Sequence, residues 1–314
     1  MIVRQTLRCN LYLEKVPIDH LDKIKFNIPP IQKSNSRCIM TIQEIIPKSE
    51  KSLKPAAKVL DFTSVYIRQA VADLLDTLAE KQRTLNLEFP GQGAGVGLAA
   101  NQIKYPYEPV SDIDDSPKPG CYPNDFLPPD MYVVSILETR AAIEKCEPVE
   151  PLICINATFA PLDNKKSFEG EGCLSVTGFH GFKIPRYEVI EVEAWNARGE
   201  KMRFEAKGFI ARVHQHEQDH SLGMEYLNRL NFSEDELKTI IQWIDEHENK
   251  PVLESSQWVV EGKLRCVSES RDGKEALAIW ARNALETKLL GEYSSEDSSS
   301  TFIEETDESL QFRH

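Results

Sequence analysis

The stretch His216-Glu217-Gln218-Asp219-His220 decides how this chain is read. On an α-helix, positions four apart share a face, so His216 and His220 can both reach a single metal ion. Glu217, one residue on, can carry a proton to or from a water at that ion. The pattern is short, and two helix histidines satisfied by backbone or solvent would look the same. The apolar spacing around it predicts a helix from about Phe209 through His220.

A catalytic metal of this kind takes three protein ligands and leaves a fourth position to water. Downstream of His220 the chain offers Glu225, Glu234 and Glu236. Gly223 is present, but the third His that follows it in metzincins is not. Upstream, Glu171-Gly172-Cys173-Leu174-Ser175 supplies a better candidate in Cys173, which would complete a two-His, one-Cys site. Considered alone, Cys173 reads as a buried inert thiol, as do Cys9, Cys38, Cys121, Cys146, Cys154 and Cys266.

Further upstream lies Gly95-Val96-Gly97-Leu98-Ala99-Ala100-Asn101-Gln102. Glycines two residues apart let a backbone approach a ligand or another strand closely. The segment lacks the Gly-Lys-Ser/Thr of a phosphate loop. It also lacks the third glycine of a dinucleotide fingerprint.

Composition narrows the classes. The 314 residues carry a formal net charge of −13, the wrong sign for a nucleic-acid groove. Hydrophobic residues make up 41%, enough for a substantial core. No run approaches the roughly 18 apolar residues of a membrane helix. Seven irregularly spaced cysteines without a CxxC pair fit a reducing compartment rather than a disulfide framework.

Residues 1–39 show no period and carry Pro29-Pro30, so an irregular N-terminal extension is expected there. Met40 stands where organised sequence begins, which raises it as a candidate natural start. A transit peptide is disfavoured by Glu14, Asp19 and Asp22. Helical periodicity is read at Val65–Glu80, at Glu234–His247 and near Glu275–Leu290. Strands are expected at Met131–Leu137 and Leu152–Ala157. A hairpin joins Val189–Trp195 to Lys201–Ala206 through a turn at Asn196–Gly199. Residues 105–130 read as a long surface insertion. Beyond Pro251 the chain has no clear reading before the last helix, and the serine-rich acidic segment from Tyr293 is expected to be disordered.

Together the three motifs, Gly95 to Gln102, Glu171 to Ser175 and His216 to His220, in that order, resemble those of the peptide deformylases. The resemblance extends to the preceding helix and to Ala211-Arg212 and Gln215, and covers roughly residues 40–248. Beyond it lie a partly helical extension, 249–292, and the tail, 293–314. Ser221 stands where deformylases usually carry Leu. The stretch from Cys173 to Pro185-Arg186 is one residue longer than usual.

The resemblance implies an α+β fold, with antiparallel β-sheets packed around a central helix that bears the HExxH motif. It implies a metal held by Cys173, His216 and His220, with Fe²⁺ favoured and Zn²⁺, Ni²⁺ or Co²⁺ able to replace it. It assigns proton transfer to Glu217 and stabilisation of the formyl oxygen to the Gln102 side chain and the Leu174 backbone N–H. A formylmethionyl nascent peptide would pair as an added strand near Val96, Gly97 and Gly172. The cytoplasm is the expected location. Ribosome contact through a basic C-terminal helix is not expected, because residues from Glu292 to Glu308 are predominantly acidic.

His214 is read as structural, and His180 as a surface-loop residue, with a place near the cleft as the alternative. Two other functions compete: a general HExxH metalloprotease, and a deformylase-like protein that binds peptide or metal without turnover.

Overall fold

A computed structural model describes residues 42–45, 55–88, 95–104, 128–247, 257–268 and 270–296. The expected N-terminal extension, Met40, most of the 105–130 insertion, and Cys9, Cys38 and Cys121 lie outside these residues.

Antiparallel sheets and helices make up an α+β fold. After a short strand β1 (Glu44–Ile45), helix α1 spans Val65–Glu88. Its buried face repeats at Ile67, Ala70, Leu74 and Leu78, as helical spacing requires. The helix runs two turns past the expected end at Glu80. Gln82 explains the extension, since its buried amide donates to the carbonyls of Gly95 and Ser135, each at 2.9 Å. That tie is made by distant parts of the chain, so periodicity cannot register it.

The glycine-rich segment forms β2 (Gly97–Ala99), a 3₁₀ turn (Ala100–Gln102) and β3 (Ile103–Lys104), which pairs with β1. Then follow β4 (Met131–Ile136), helix α2 (Glu138–Glu144), β5 (Val149–Pro161), β6 (Lys166–Cys173), β7 (Val176–Tyr187), β8 (Val189–Trp195) and β9 (Lys201–Lys207). One sheet has the order β2-β4-β5-β8-β9. All of β4 is buried because both its faces are covered. Met131 and Val133 pack toward α1, and Tyr132 and Val134 into a second cluster with Val192 and Val213. The β8–β9 hairpin turns where expected, with Gly199 at φ +74.

Helix α3 (Gly208–Ser221) follows β9 and carries the whole His216–His220 motif. It packs against strands of the five-stranded sheet and against β7, which belongs to the other sheet. A 3₁₀ turn (Tyr226–Arg229) leads to α4 (Glu234–His247).

The region beyond residue 249 contributes two strands that the sequence reading did not resolve, β10 (Gln257–Val260) and β11 (Leu264–Cys266). They extend the second sheet in the order β10-β11-β7-β6, with Leu264 opposite Gly181. Strands of four and three residues are too short to show a period of two. Helix α5 (Arg271–Glu296) and α4 cover one face of this sheet. Leu237, Ile240, Leu277 and Trp280 close there over Phe179 and Ile184. Helix α5 continues through Glu296, into the first residues of the tail expected to be disordered. Residues 297–314 lie outside the described part.

Candidate metal centre

Helix α3 presents His216 and His220 on one face, with ring centroids 4.8 Å apart and planes nearly perpendicular. The end of β6 brings Cys173 to them. One donor atom from each residue, Sγ and two imidazole nitrogens, falls within 4.8 Å of the others. Cys173 Sγ lies 3.4 Å from His220 Nε2.

These atoms fit a metal ion. Tetrahedral ligation by sulfur and nitrogen at bond lengths of about 2.0–2.3 Å sets neighbouring ligand atoms roughly 3.3–3.8 Å apart. Each ring is held by its other nitrogen. His216 Nδ1 is 2.8 Å from a carboxylate oxygen of Glu171, and His220 Nδ1 is 3.1 Å from the carbonyl of Met224. Both Nε2 atoms are thereby directed into the cluster, the usual device for orienting a metal-binding histidine.

Glu171 itself belongs to a buried charge network. Arg186 donates from Nε and a terminal nitrogen to its two oxygens, at 2.8 and 2.9 Å, and Arg212 donates to one of them at 2.6 Å. Arg186 reaches on to Asp219 at 2.6 Å, and Arg229 meets the same carboxylate. Burial alone would raise the Glu171 carboxyl. Hydrogen bonds from Arg186 and His216, together with the charge of Arg186, hold it well below the usual carboxylate range. A buried carboxylate is tolerable only when paired and bonded in this way.

Glu217 is the opposite case. It is 3% exposed, and its Oε2 has no hydrogen-bond partner among the described residues. Burial pushes its carboxyl up to about 7. Its side chain lies against Gly97, where a Cβ would come within 2.2 Å of Oε1. This is the close approach for which a strand glycine is needed.

The motif's other end is equally ordered. Gln102 Oε1 accepts from the Ala99 N–H at 2.8 Å, which turns Nε2 toward Ser175 Oγ at 3.1 Å and Cys173 Sγ at 3.4 Å. Leu174 sits in the tight turn between β6 and β7. Its side chain packs toward Gly95, where a Cβ would lie 3.1 Å from Cδ1. Val96 and Gly97 separate in role. The Val96 carbonyl accepts from Ser135 on β4 at 2.9 Å. Antiparallel alternation then turns the Gly97 N–H and C=O away from β4, to the open edge of the sheet. Gly172 lies beside Cys173 on β6, the end strand of the other sheet.

A family model described as polypeptide deformylase matches residues 42–236. The chain belongs to the polypeptide deformylase family. The family is one of hydrolases, so the protein is an enzyme. Peptide deformylase of Neisseria gonorrhoeae is 29% identical over 192 residues, covering 61% of this chain and 89% of the relative. Peptide deformylase 1 of Bordetella pertussis is 31% identical over 178 residues, covering 57% and 81%. A crystal structure of peptide deformylase from Ehrlichia chaffeensis in complex with actinonin is 24% identical. It covers 67% of this chain and all of that one, with a TM-score of 0.47.

Two histidines outside the motif take different places. His214 is buried, its Nδ1 3.0 Å from the Tyr132 hydroxyl, and burial pushes its pKa down to about 4. That is a core histidine, in line with the structural reading. His180 corrects the expectation of a surface loop. It stands on β7, half-buried, in register with Arg265 of β11. The missed β10–β11 hairpin is what turns this segment into an interior strand.

Sequence reading also gave no role to Glu171, Arg186, Arg212 or Asp219 individually. One signal was present. Arg212 is four residues before His216 and so shares its helix face, and an arginine on the apolar side of a helix needs a buried acidic partner.

Proposed function

We propose that this enzyme removes the N-formyl group from the N-terminal formylmethionine of newly made polypeptides, releasing formate, in the cytoplasm. The observation that carries this reading is one juxtaposition. Cys173, His216 and His220 form a metal-ligand set, and the Glu217 carboxylate is pressed against the backbone of Gly97 beside it.

Cys173, His216 and His220 would hold a divalent ion, with α3 as the central helix of the site. Such an ion supplies Lewis acidity and lowers the pKa of water. Fe²⁺ is the favoured ion, and a donor set of one sulfur and two nitrogens also suits Zn²⁺, Ni²⁺ or Co²⁺.

Glu217 takes the proton of the attacking water on its carboxylate and returns it to the departing amine. As negative charge gathers on the formyl oxygen, Gln102 Nε2 and the Leu174 N–H donate to it. The Ala99 N–H fixes the Gln102 amide in advance, so no reorganisation is needed when the charge develops. The peptide lies extended between β2 and β6, the two open edges. It hydrogen-bonds to the Gly97 backbone on one side and near Gly172 on the other. Because the Val96 carbonyl is already engaged by Ser135, Gly97 makes the principal contact on its strand.

Nascent chains are thus the substrate partners. The acidic residues after Glu292 do not favour docking to the ribosome through the C-terminus. No helix among the described residues is long and apolar enough to cross a membrane.

The test is formate release from formyl-Met-Ala-Ser by protein prepared anaerobically and loaded with Fe²⁺ or Ni²⁺. Turnover that disappears in Glu217→Ala while metal content is kept supports the reading. A fully loaded parent that releases no formate would overturn it.

A further inference from the structure

The two faces of the second sheet differ. One, bearing Phe179, Ile184, Leu264 and Cys266, is buried under α4 and α5. The other carries His180 and Phe182 of β7, Trp258 of β10 and Arg265 of β11, all half-buried. The rings form a continuous row. His180 and Phe182 have centroids 5.4 Å apart, Phe182 and Trp258 5.0 Å apart, and the Arg265 guanidinium lies 5.4 Å from the centre of the Trp258 ring.

At its inner end this row reaches the substrate edge. Strand β6 has glycine at positions 170 and 172, on the same face as His180. A Cβ at Gly170 would lie 2.9 Å from His180 Nε2, and one at Gly172 would lie 3.9 Å from Nδ1. The imidazole therefore fills the space that a side chain at Gly170 would need and lies at van der Waals distance from one at Gly172, the residue next to Cys173. Burial and the charge of Arg140 lower its pKa, so at neutral pH it presents an uncharged ring.

We propose that His180, backed by Phe182 and by Trp258 of the β10–β11 hairpin, is a specificity-determining wall that selects an aromatic residue directly after the formylmethionine. This rests on the deformylase reading above. Side chains of an extended peptide alternate between faces. With the formyl group at Cys173 and the methionine side chain directed inward, the second side chain emerges on the outer face, over Gly172 and Gly170. There it meets the flat side of the His180 ring instead of solvent. The hairpin lies beyond the 42–236 family match, so this wall is finished by residues from outside the matched region. Trp258 does not touch the peptide in this arrangement. It is a positioning residue that acts through Phe182 and His180.

The experiment measures equilibrium binding of Met-Trp-Ser and Met-Ala-Ser to the metal-loaded full chain, then KM and kcat for the formylated forms. An aromatic contact of this kind predicts binding of the tryptophan peptide tighter by about three- to tenfold. The same preference should appear in KM rather than kcat. His180→Ala should reduce it to about twofold or less, His180→Phe should restore it, and Trp258→Ala should weaken it. Equal binding of the two peptides by the parent, or a preference that survives His180→Ala, would overturn the proposal. Discrimination in binding without formate release would leave the wall in place and remove the deformylase reading. Formate release without discrimination would do the reverse.

Discussion

Glu217 fills the space that a side chain on Gly97 would need, since a methyl group there would sit 2.2 Å from Oε1 and 2.6 Å from Cδ. The first motif and the third are thus fitted to each other through one missing Cβ. Helix α3 carries the carboxylate and β2 the glycine, and neither element can shift alone because both are buried.

Gly97→Ala should therefore behave as a displacement of Glu217. Overpacking of this kind costs about 1–3 kcal/mol of stability. Loss of proper general acid–base help should lower kcat by roughly 10²–10⁴. Elemental analysis should still find a full complement of metal, because Cys173, His216 and His220 are untouched. Parent-like kcat in this variant would mean that the fit between the two residues is irrelevant to turnover.

Cys173→Ala should lose the metal. In the parent, removing the ion with a chelator should lower the unfolding temperature, because an ion that binds only the folded state stabilises it. In Cys173→Ala the unfolding temperature should no longer respond to chelator or added Fe²⁺. A persistent metal-dependent shift would take Cys173 out of the ligand set.

Glu171→Gln should weaken metal binding by about 10–100-fold, since the carboxylate orients His216. It also strips Arg186 and Arg212 of their shared buried partner, a change that typically costs about 3–5 kcal/mol. The pH dependence follows from the sign of the shift. Glu171 has a folded-state pKa below its ordinary value of 4.5, so its contribution is full above that pH. The contribution fades as acid approaches the folded value. Urea midpoints of the parent should fall on acidification below about 4.5, and those of Glu171→Gln should fall less over the same range. Parallel pH curves for the two proteins would contradict this account.

Trp280→Ala tests the part of the chain beyond the family match. Its ring meets Phe232 edge-on with centroids 5.7 Å apart, and its Nε1 donates to Asn228 Oδ1 at 3.3 Å. Asn228 lies in the turn that bears Tyr226, whose ring is nearly parallel to His216 at 6.2 Å. Deleting a buried indole costs about 3–5 kcal/mol. The unfolding midpoint should drop accordingly, with a smaller loss of metal affinity alongside. A variant as stable as the parent would show α5 to be dispensable to this core.

The sequence by itself marked the candidate ligands and their helix face. Spacing of four placed His216 and His220 on one helix face, and the glycines of the first motif announced a close backbone approach. The local periods of α1, α3 and the β8–β9 hairpin were legible because each repeats an apolar pattern over several residues. Tertiary structure decided what depends on partners distant in the chain. It brought Cys173 within 3.4 Å of His220 and closed Arg186, Arg212 and Asp219 around Glu171. It carried α1 past Glu80 through Gln82, and turned His180 from an apparent loop residue into an interior strand beside β11. Helical and strand periods are written by neighbours a few residues apart. A buried ion pair or a three-residue strand exists only when the rest of the chain supplies its other half.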